Sequence, residues 1–106
     1  MNTIPLACDM NVFTPNERDS HVQSTRLLVQ KLEAVRPASN GYELVFTNSP
    51  ETLTQLTEFI TNEQRCCPFL EFTLKIVPNY EAVSLTLAGP EGTQEFLREE
   101  FSEAFA

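Results

Sequence analysis

Residues 41–51 read GYELVFTNSPE and combine two signals that decide the fold. From Tyr42 to Thr47 large apolar side chains occupy every second position, and this period of two predicts a strand with one face in the core. Ser49 and the following Pro-Glu pair then open a helix, because serine caps a helix and proline fits its first turn. The stretch therefore predicts a strand that leads directly into a helix.

Further strands are predicted on both sides of this stretch. Residues 70–76 and 83–87 show the same alternation, and residues 32–36 form a fourth candidate that would end the first helix early. The turn-rich residues 37–41 and 78–81 connect these strands in pairs. Two hairpins, each followed by a helix, predict an α+β fold in which three helices pack against a roughly four-stranded, mainly antiparallel sheet.

Three proline-containing signals predict where the helices begin. Residues 14–17 (TPNE) have the pattern of a capping box with proline at the first helical position. Residues 49–51 (SPE) and 89–91 (GPE) repeat the pattern less completely. Apolar side chains recur at helical spacing after each signal, so the sequence predicts three amphipathic helices, each with one face to bury.

Composition limits the classes of protein to which the chain can belong. With 106 residues and 42% hydrophobic residues, residues 1–106 are long enough for one domain with its own core. Fifteen acidic against seven basic residues give a net charge of −8, which disfavours nucleic acid and membrane surfaces as partners. The apolar stretch Ile4–Cys8 is too short for a secretory signal, and no run is long enough to span a bilayer. We therefore expect a cytoplasmic protein.

Most constellations of catalytic residues are absent. The chain has three glycines and neither a glycine-rich phosphate loop nor a nucleophile elbow, so we assign no catalytic and no cofactor-binding residue. The one histidine, His21, has no partner at metal-ligand spacing, and we expect it to be a solvated surface residue. Glu95, Glu99 and Glu103 form a ridge on one helix, which we also expect to face solvent. These observations favour a protein that is not an enzyme.

The three cysteines are the residues most able to carry chemistry. An odd count with Cys66 and Cys67 adjacent does not fit a secreted disulfide framework, so we expect reduced thiols. Pro68 ends the preceding helix and places the pair at a corner between helix and strand. The helix dipole opposes a thiolate at that end, which disfavours a thioredoxin-like nucleophile.

A soft metal ion changes this balance, because coordination deprotonates a thiol directly. Cys66 and Cys67, joined by Cys8 from an extended amino-terminal segment, can supply two or three sulfur ligands. The alternative is that the pair simply fills the corner as small apolar side chains. Glu63 precedes the pair by one helical turn and can be a ligand, an orienting group or a surface carboxylate, of which we expect the last.

The chain also resembles a group of small bacterial domains. The resemblance rests on residues 5–8 (PLAC), Glu63 followed by Cys66 and Cys67, then Phe69, Phe72 and Leu74, and residues 89–92 (GPEG). Those domains occur alone or appended to regulators of the mercury-responsive class, and the resemblance covers most of this chain. It implies a soft-metal site at Cys8, Cys66 and Cys67. No segment is typical of a DNA-binding winged helix, so the resemblance does not imply a regulator.

The sequence thus predicts a small cytoplasmic protein that binds a soft, thiophilic metal ion through Cys8, Cys66 and Cys67, with release of protons. The first alternative is a thiol redox protein in which Cys66 or Cys67 is oxidised and Cys8 resolves it. The second is an interaction module with structural cysteines, in which the sheet edge or a helix face forms a homodimer. The sequence leaves the three interpretations open.

Overall fold

A computed structural model describes residues 6–105, so Ile4 and Pro5 of the sequence patterns lie outside the described residues. The helices are α1 (Pro15–Val29), α2 (Pro50–Cys66) and α3 (Thr93–Glu100), and the strands are β1 (Leu32–Ala38), β2 (Gly41–Phe46), β3 (Glu71–Ile76) and β4 (Val83–Ala88). Short 3-10 turns occupy Met10–Val12, Pro78–Tyr80 and Ser102–Phe105. The architecture is α+β, as the alternating hydrophobic periods predict.

The four strands form one antiparallel sheet in the order β1-β2-β4-β3. Two hairpins, β1-β2 and β3-β4, meet through β2 and β4, which confirms the predicted four-stranded sheet. Directly opposite residues share a face, and Leu44 pairs with Leu85 while Phe46 pairs with Val83. This central pair of strands therefore supplies the apolar floor on which the helices pack.

Two of the three predicted helix starts are confirmed. Thr14 Oγ1 accepts a hydrogen bond from the Glu17 backbone N–H at 3.2 Å, and the Glu17 carboxylate accepts one from the Thr14 N–H at 2.9 Å. The Ser49 hydroxyl accepts from the Thr52 N–H at 3.1 Å and caps α2. The first helix ends at Val29, so the candidate strand at residues 32–36 does form.

The third predicted start is wrong. Pro90 and Glu91 precede α3 as part of a turn, in which the Thr93 N–H donates to the Pro90 carbonyl at 3.1 Å. The helix begins only at Thr93, after Gly92 with φ 97°, a backbone angle that glycine adopts without steric cost. Proline followed by glutamate is compatible with such a turn as well as with a helix, so the signal alone did not distinguish them.

The core lies between the helices and one face of the sheet. Its largest fully buried side chains are Phe46, Leu56, Leu85, Leu87 and Leu97. Glu95 and Glu99 are exposed on α3, as predicted. Glu103 is exposed as well, but it lies in the 3-10 turn Ser102–Phe105, so the predicted ridge of three glutamates on one helix is wrong at this position. Within residues 6–105, no helix has both the length and the apolar character that crossing a bilayer requires.

The alternation of residues 70–76 is buried only in part. Leu70 and Phe72 pack against the core, whereas Leu74 is 41% and Ile76 57% exposed. Leu74 and Ile76 lie on the same face of the sheet as the buried residues of β4, so the alternation correctly predicted which side chains of β3 point to the core side. The expectation that this whole face is buried is wrong, because β3 is an edge strand that extends beyond the cover of the helices.

Candidate metal centre

The structure brings the three predicted cysteines to one place and adds a carboxylate. The sulfur atoms of Cys8, Cys66 and Cys67 and a carboxylate oxygen of Glu63 all lie within 4.8 Å of one another. The Cys66 and Cys67 sulfur atoms are 3.8 Å apart. Four groups with ligand chemistry thus lie at one place in the fold.

The end of α2 positions three of these groups. Cys66 and Cys67 follow Glu63 by three and four residues, so both lie next to Glu63 at the end of the helix. The Cys67 N–H donates to the Glu63 carbonyl at 2.8 Å and closes the last turn. Pro68 prevents the helix from continuing, and the chain turns toward β3 directly behind the pair. The local sequence therefore fixes this part of the site.

Tertiary contacts position the fourth group. The Asp9 N–H donates to the Cys66 carbonyl at 2.7 Å, which attaches the amino-terminal segment to the end of α2. Arg65 donates to the Val12 carbonyl at 3.1 Å and holds the segment a second time. One contact is made by Cys66 itself and the other by its neighbour Arg65, so they place Cys8, which is partly buried, beside the cysteine pair.

A disulfide joins Cys8 to Cys67, whose Cα atoms are 4.5 Å apart. Cys66 is the one free cysteine of the three. The expectation that all three cysteines are reduced thiols therefore does not describe this structure. The redox alternative paired Cys8 with either Cys66 or Cys67, and the sequence could not select Cys67, because the contacts that set Cys8 against Cys67 connect residues more than 50 positions apart. Reduction of this bridge is required before either sulfur can act as a metal ligand.

Glu63 is 3% exposed, so the expectation that it is a surface carboxylate is wrong. Its Oε1 lies 3.1 Å from the Cys67 sulfur and 3.8 Å from the Cys8 sulfur. Its Oε2 lies 2.7 Å from His21 Nε2 and 3.7 Å from the Cys66 sulfur. One buried carboxylate thus connects the sulfur cluster to the histidine. In the sequence, the position of Glu63 one helical turn before the cysteine pair was the signal that it could belong to the site.

His21 is 5% exposed, so the expectation that it is a solvated residue is also wrong. Its ring lies between the rings of Phe13 and Phe59, with centroid separations of 5.3 and 5.9 Å. The histidine precedes the buried Leu28 by seven residues, or two helical turns, and so belongs to the inward face of α1. A buried carboxylate requires a partner, and His21 supplies it by a bond from Nε2 to Glu63.

Burial raises the pKa of the Cys66 thiol to about 12, and the neighbouring Glu63 carboxylate acts on it in the same direction. The thiol therefore keeps its proton at neutral pH, and Cys66 is a poor nucleophile. A metal ion can still displace that proton, since coordination stabilises the thiolate directly.

A cleft of about 220 Å³ opens beside Cys66 and Glu63. Glu100, Glu103 and Arg26 also line the cleft, so acidic side chains outnumber basic ones on the approach to the sulfur cluster. Desolvation and the nearby Glu63 carboxylate raise the pKa of Glu100. The charge of the cleft favours cations over anions on the path to the cysteines.

Comparisons with known proteins give no match for the chain, either among protein-family models or among curated proteins and solved structures. A function for this protein therefore has to be argued from the geometry of the site.

Proposed function

We propose that the reduced protein binds a soft, thiophilic metal ion through Cys8, Cys66 and Cys67, with Glu63 as an adjoining oxygen ligand. The observation that carries the proposal is the approach of these four groups to within 4.8 Å of one another. Thiolates select soft and borderline ions over Mg²⁺ or Ca²⁺, which require shells of oxygen ligands.

The spacing of the sulfur atoms supports this proposal. In a tetrahedral thiolate site with metal–sulfur bonds of about 2.3 Å, two sulfur ligands lie about 3.8 Å apart. The Cys66 and Cys67 sulfur atoms are separated by 3.8 Å before any ion is bound. In the disulfide form, Cys66 and Cys67 thus have the separation of two ligands, and Cys8 has to move away from Cys67 once the bridge is reduced.

The residue behind Glu63, the thiol protons and the redox conditions are also consistent with metal binding. His21 fixes the orientation of the Glu63 carboxylate, as residues behind a ligand commonly do at metal sites. The thiol protons leave when the ion binds, so uptake of metal releases protons. A reducing compartment keeps Cys8 and Cys67 as free thiols, which agrees with the cytoplasmic location expected from the sequence. The resemblance to the small bacterial domains implies the same three cysteines.

The experiment is a titration of the reduced, desalted protein with Cd²⁺ in the absence of oxygen. Thiolate-to-metal absorption in the ultraviolet reports on sulfur ligands, and native mass spectrometry counts the ions. We expect one ion per chain, with binding lost in Cys66→Ser and Cys67→Ser and weakened in Glu63→Gln. Glu99→Gln is the matched control, because it removes the same charge from an exposed position on α3.

Cys8→Ser provides a variant in which a folding defect is not expected, because this residue is only partly buried, whereas Cys66 and Cys67 belong to the core. We expect it to weaken binding while the circular dichroism spectrum stays unchanged. Equal affinity in the wild type and all three serine variants would refute a thiolate site. Binding that survives oxidation of the wild type to the Cys8–Cys67 disulfide would refute the proposed ligand set.

The disulfide itself favours a second candidate function, a thiol redox protein. In that case the Cys67 thiolate attacks a peroxide oxygen, breaks the O–O bond and becomes a sulfenic acid while the peroxide is reduced to water or an alcohol. The Cys8 thiol then attacks the Cys67 sulfur, which forms the disulfide and releases water. Rapid, stoichiometric formation of this bridge with peroxide, in a reduced protein that takes up no Cd²⁺, would favour the second function over the first.

A further inference from the structure

We propose that the free edge of β3 binds a second copy of this chain, with the two β3 strands antiparallel about a two-fold axis that passes by Thr73. The proposal concerns a different part of the molecule from the cysteine cluster and does not depend on metal binding.

The two edges of the sheet differ in how they are protected. The edge strand β1 contains Pro37 and a shift of register between Leu32 and Ala34, and the turn Ser102–Phe105 packs against it. Proline, bulges and covering segments are the usual devices that prevent edges from pairing. The strand β3 has an uninterrupted register over its six residues and contains no proline. Within residues 6–105, it is the edge of this sheet that has neither a proline nor a bulge.

The uncovered edge is also apolar. Leu74 and Ile76 lie opposite Leu85 and Val83, which are fully buried, so all four share the core face of the sheet. The helices cover β4 but leave the two β3 side chains 41% and 57% exposed. A strand placed beside β3 with apolar residues on the same face would continue the core across the edge.

Backbone groups of β3 are available for such a strand. In the hairpin, the Val77 N–H donates to the Ala82 carbonyl at 3.0 Å. Because bonded and non-bonded pairs alternate in an antiparallel ladder, the N–H and C=O groups of Phe72 and Leu74 point to the free edge. Each copy therefore offers two donors and two acceptors, which an antiparallel partner in the correct register can satisfy.

The charged residues of β3 favour a second copy of this chain as the partner, and they favour one register of pairing. Glu71 and Lys75 are exposed on the polar face of β3, and neither takes part in an ion pair among residues 6–105. A two-fold axis at Thr73 places Glu71 of each copy opposite Lys75 of the other and Phe72 opposite Leu74. An axis at Leu74 would place Lys75 opposite Thr73 and lose both ion pairs. The strand is thus complementary to itself in one register.

A six-residue edge buries little surface, so we expect a weak dimer whose population depends on concentration. Sedimentation velocity of the full chain, with reductant and a chelator present, measures this directly across the micromolar range. The wild type should shift from its monomer mass of 12.0 kDa toward twice that value as concentration rises. Reductant excludes intermolecular disulfides, and the chelator separates this result from the outcome of the metal titration.

Charge reversal tests the register. Glu71→Lys and Lys75→Glu each convert two attractive pairs into repulsive ones, and each should weaken association about tenfold or more. An equimolar mixture of the two variants should associate again, because every Lys then faces a Glu. Glu95→Lys is the matched control: it makes the same charge change on the exposed face of α3 and should leave association unchanged.

Three results would overturn the proposal. A wild type that stays monomeric throughout the range excludes the dimer. A dimer that persists in both charge-reversal variants uses another surface. A mixture of variants that fails to associate, while the wild type does, excludes the register at Thr73.

Discussion

Replacement of His21 by alanine is the perturbation that best tests how the site is held together. The histidine and Glu63 are both nearly fully buried and their side chains are 2.7 Å apart. Removing His21 leaves the buried Glu63 carboxyl group without this hydrogen-bond partner, which costs about 1–3 kcal/mol for a neutral group and more for a charged one. Loss of the ring from between Phe13 and Phe59 adds a cavity. We therefore expect His21→Ala to lower the free energy of unfolding by about 3 kcal/mol.

The assay is urea and thermal unfolding of the protein with its disulfide intact, followed by circular dichroism. A loss of about 3 kcal/mol corresponds to a fall in Tm of about 12–24 °C for a domain of this size. Gln23→Ala is the matched control, since it truncates an exposed polar residue of the same helix and should cost no more than about 0.5 kcal/mol.

A double-mutant cycle tests whether the loss of stability in His21→Ala comes from the lost contact with Glu63. In a Glu63→Gln background the charge is already absent, so His21→Ala should cost less there by about 1–3 kcal/mol. A loss of less than about 1 kcal/mol in the single variant, or strictly additive losses in the cycle, would refute the reasoning that the pair stabilises the fold as a unit.

Three further predictions concern pH and helix capping. Cd²⁺ affinity of the reduced protein should increase with pH, because burial raises the pKa of the Cys66 thiol and fewer protons must be displaced at higher pH, and titrations at three pH values check this. The pKa of Glu100 is raised, so its contribution to stability is present at acid pH and lost as pH rises through that pKa. Glu100→Gln should therefore have a higher urea midpoint than the wild type at neutral pH, with the difference disappearing in acid. Thr14→Ala removes the hydroxyl that caps α1 and should lower the free energy of unfolding by about 1 kcal/mol in urea denaturation.

The fold was largely predictable because its signals are local. Alternation in residues 42–47 and 83–87 and the capping pattern at residues 14–17 depend only on neighbours in the chain. The predictions of secondary structure and burial are wrong in two situations. Either a local signal is compatible with two structures, or the burial of a strand depends on distant segments of the chain. The Pro-Glu pair at residues 90–91 forms a turn instead of a helix start. The apolar face of β3 is covered at Phe72 but exposed at Leu74 and Ile76, because cover at the edge of a sheet depends on other segments of the chain.

The candidate site was predictable only at its sulfur atoms. The corner formed by Cys66 and Cys67 follows from Pro68, which ends α2. Glu63 was recognisable as lying next to the pair at the end of the helix, but its burial depends on His21, which is 42 positions away in the chain. A histidine and a glutamate are usually exposed, and each is buried here because the other is present.

The sequence by itself determined most of the secondary structure, the antiparallel hairpins and the presence of thiols at a helix end, because these depend on interactions within a few residues. Only the tertiary structure decided that Cys8 meets Cys67, that Glu63 faces His21 between two phenyl rings, and that one sheet edge is open. The physical reason is that burial and pairing are properties of two surfaces in contact. A single stretch of chain specifies one of those surfaces and carries no information about which distant stretch will cover it.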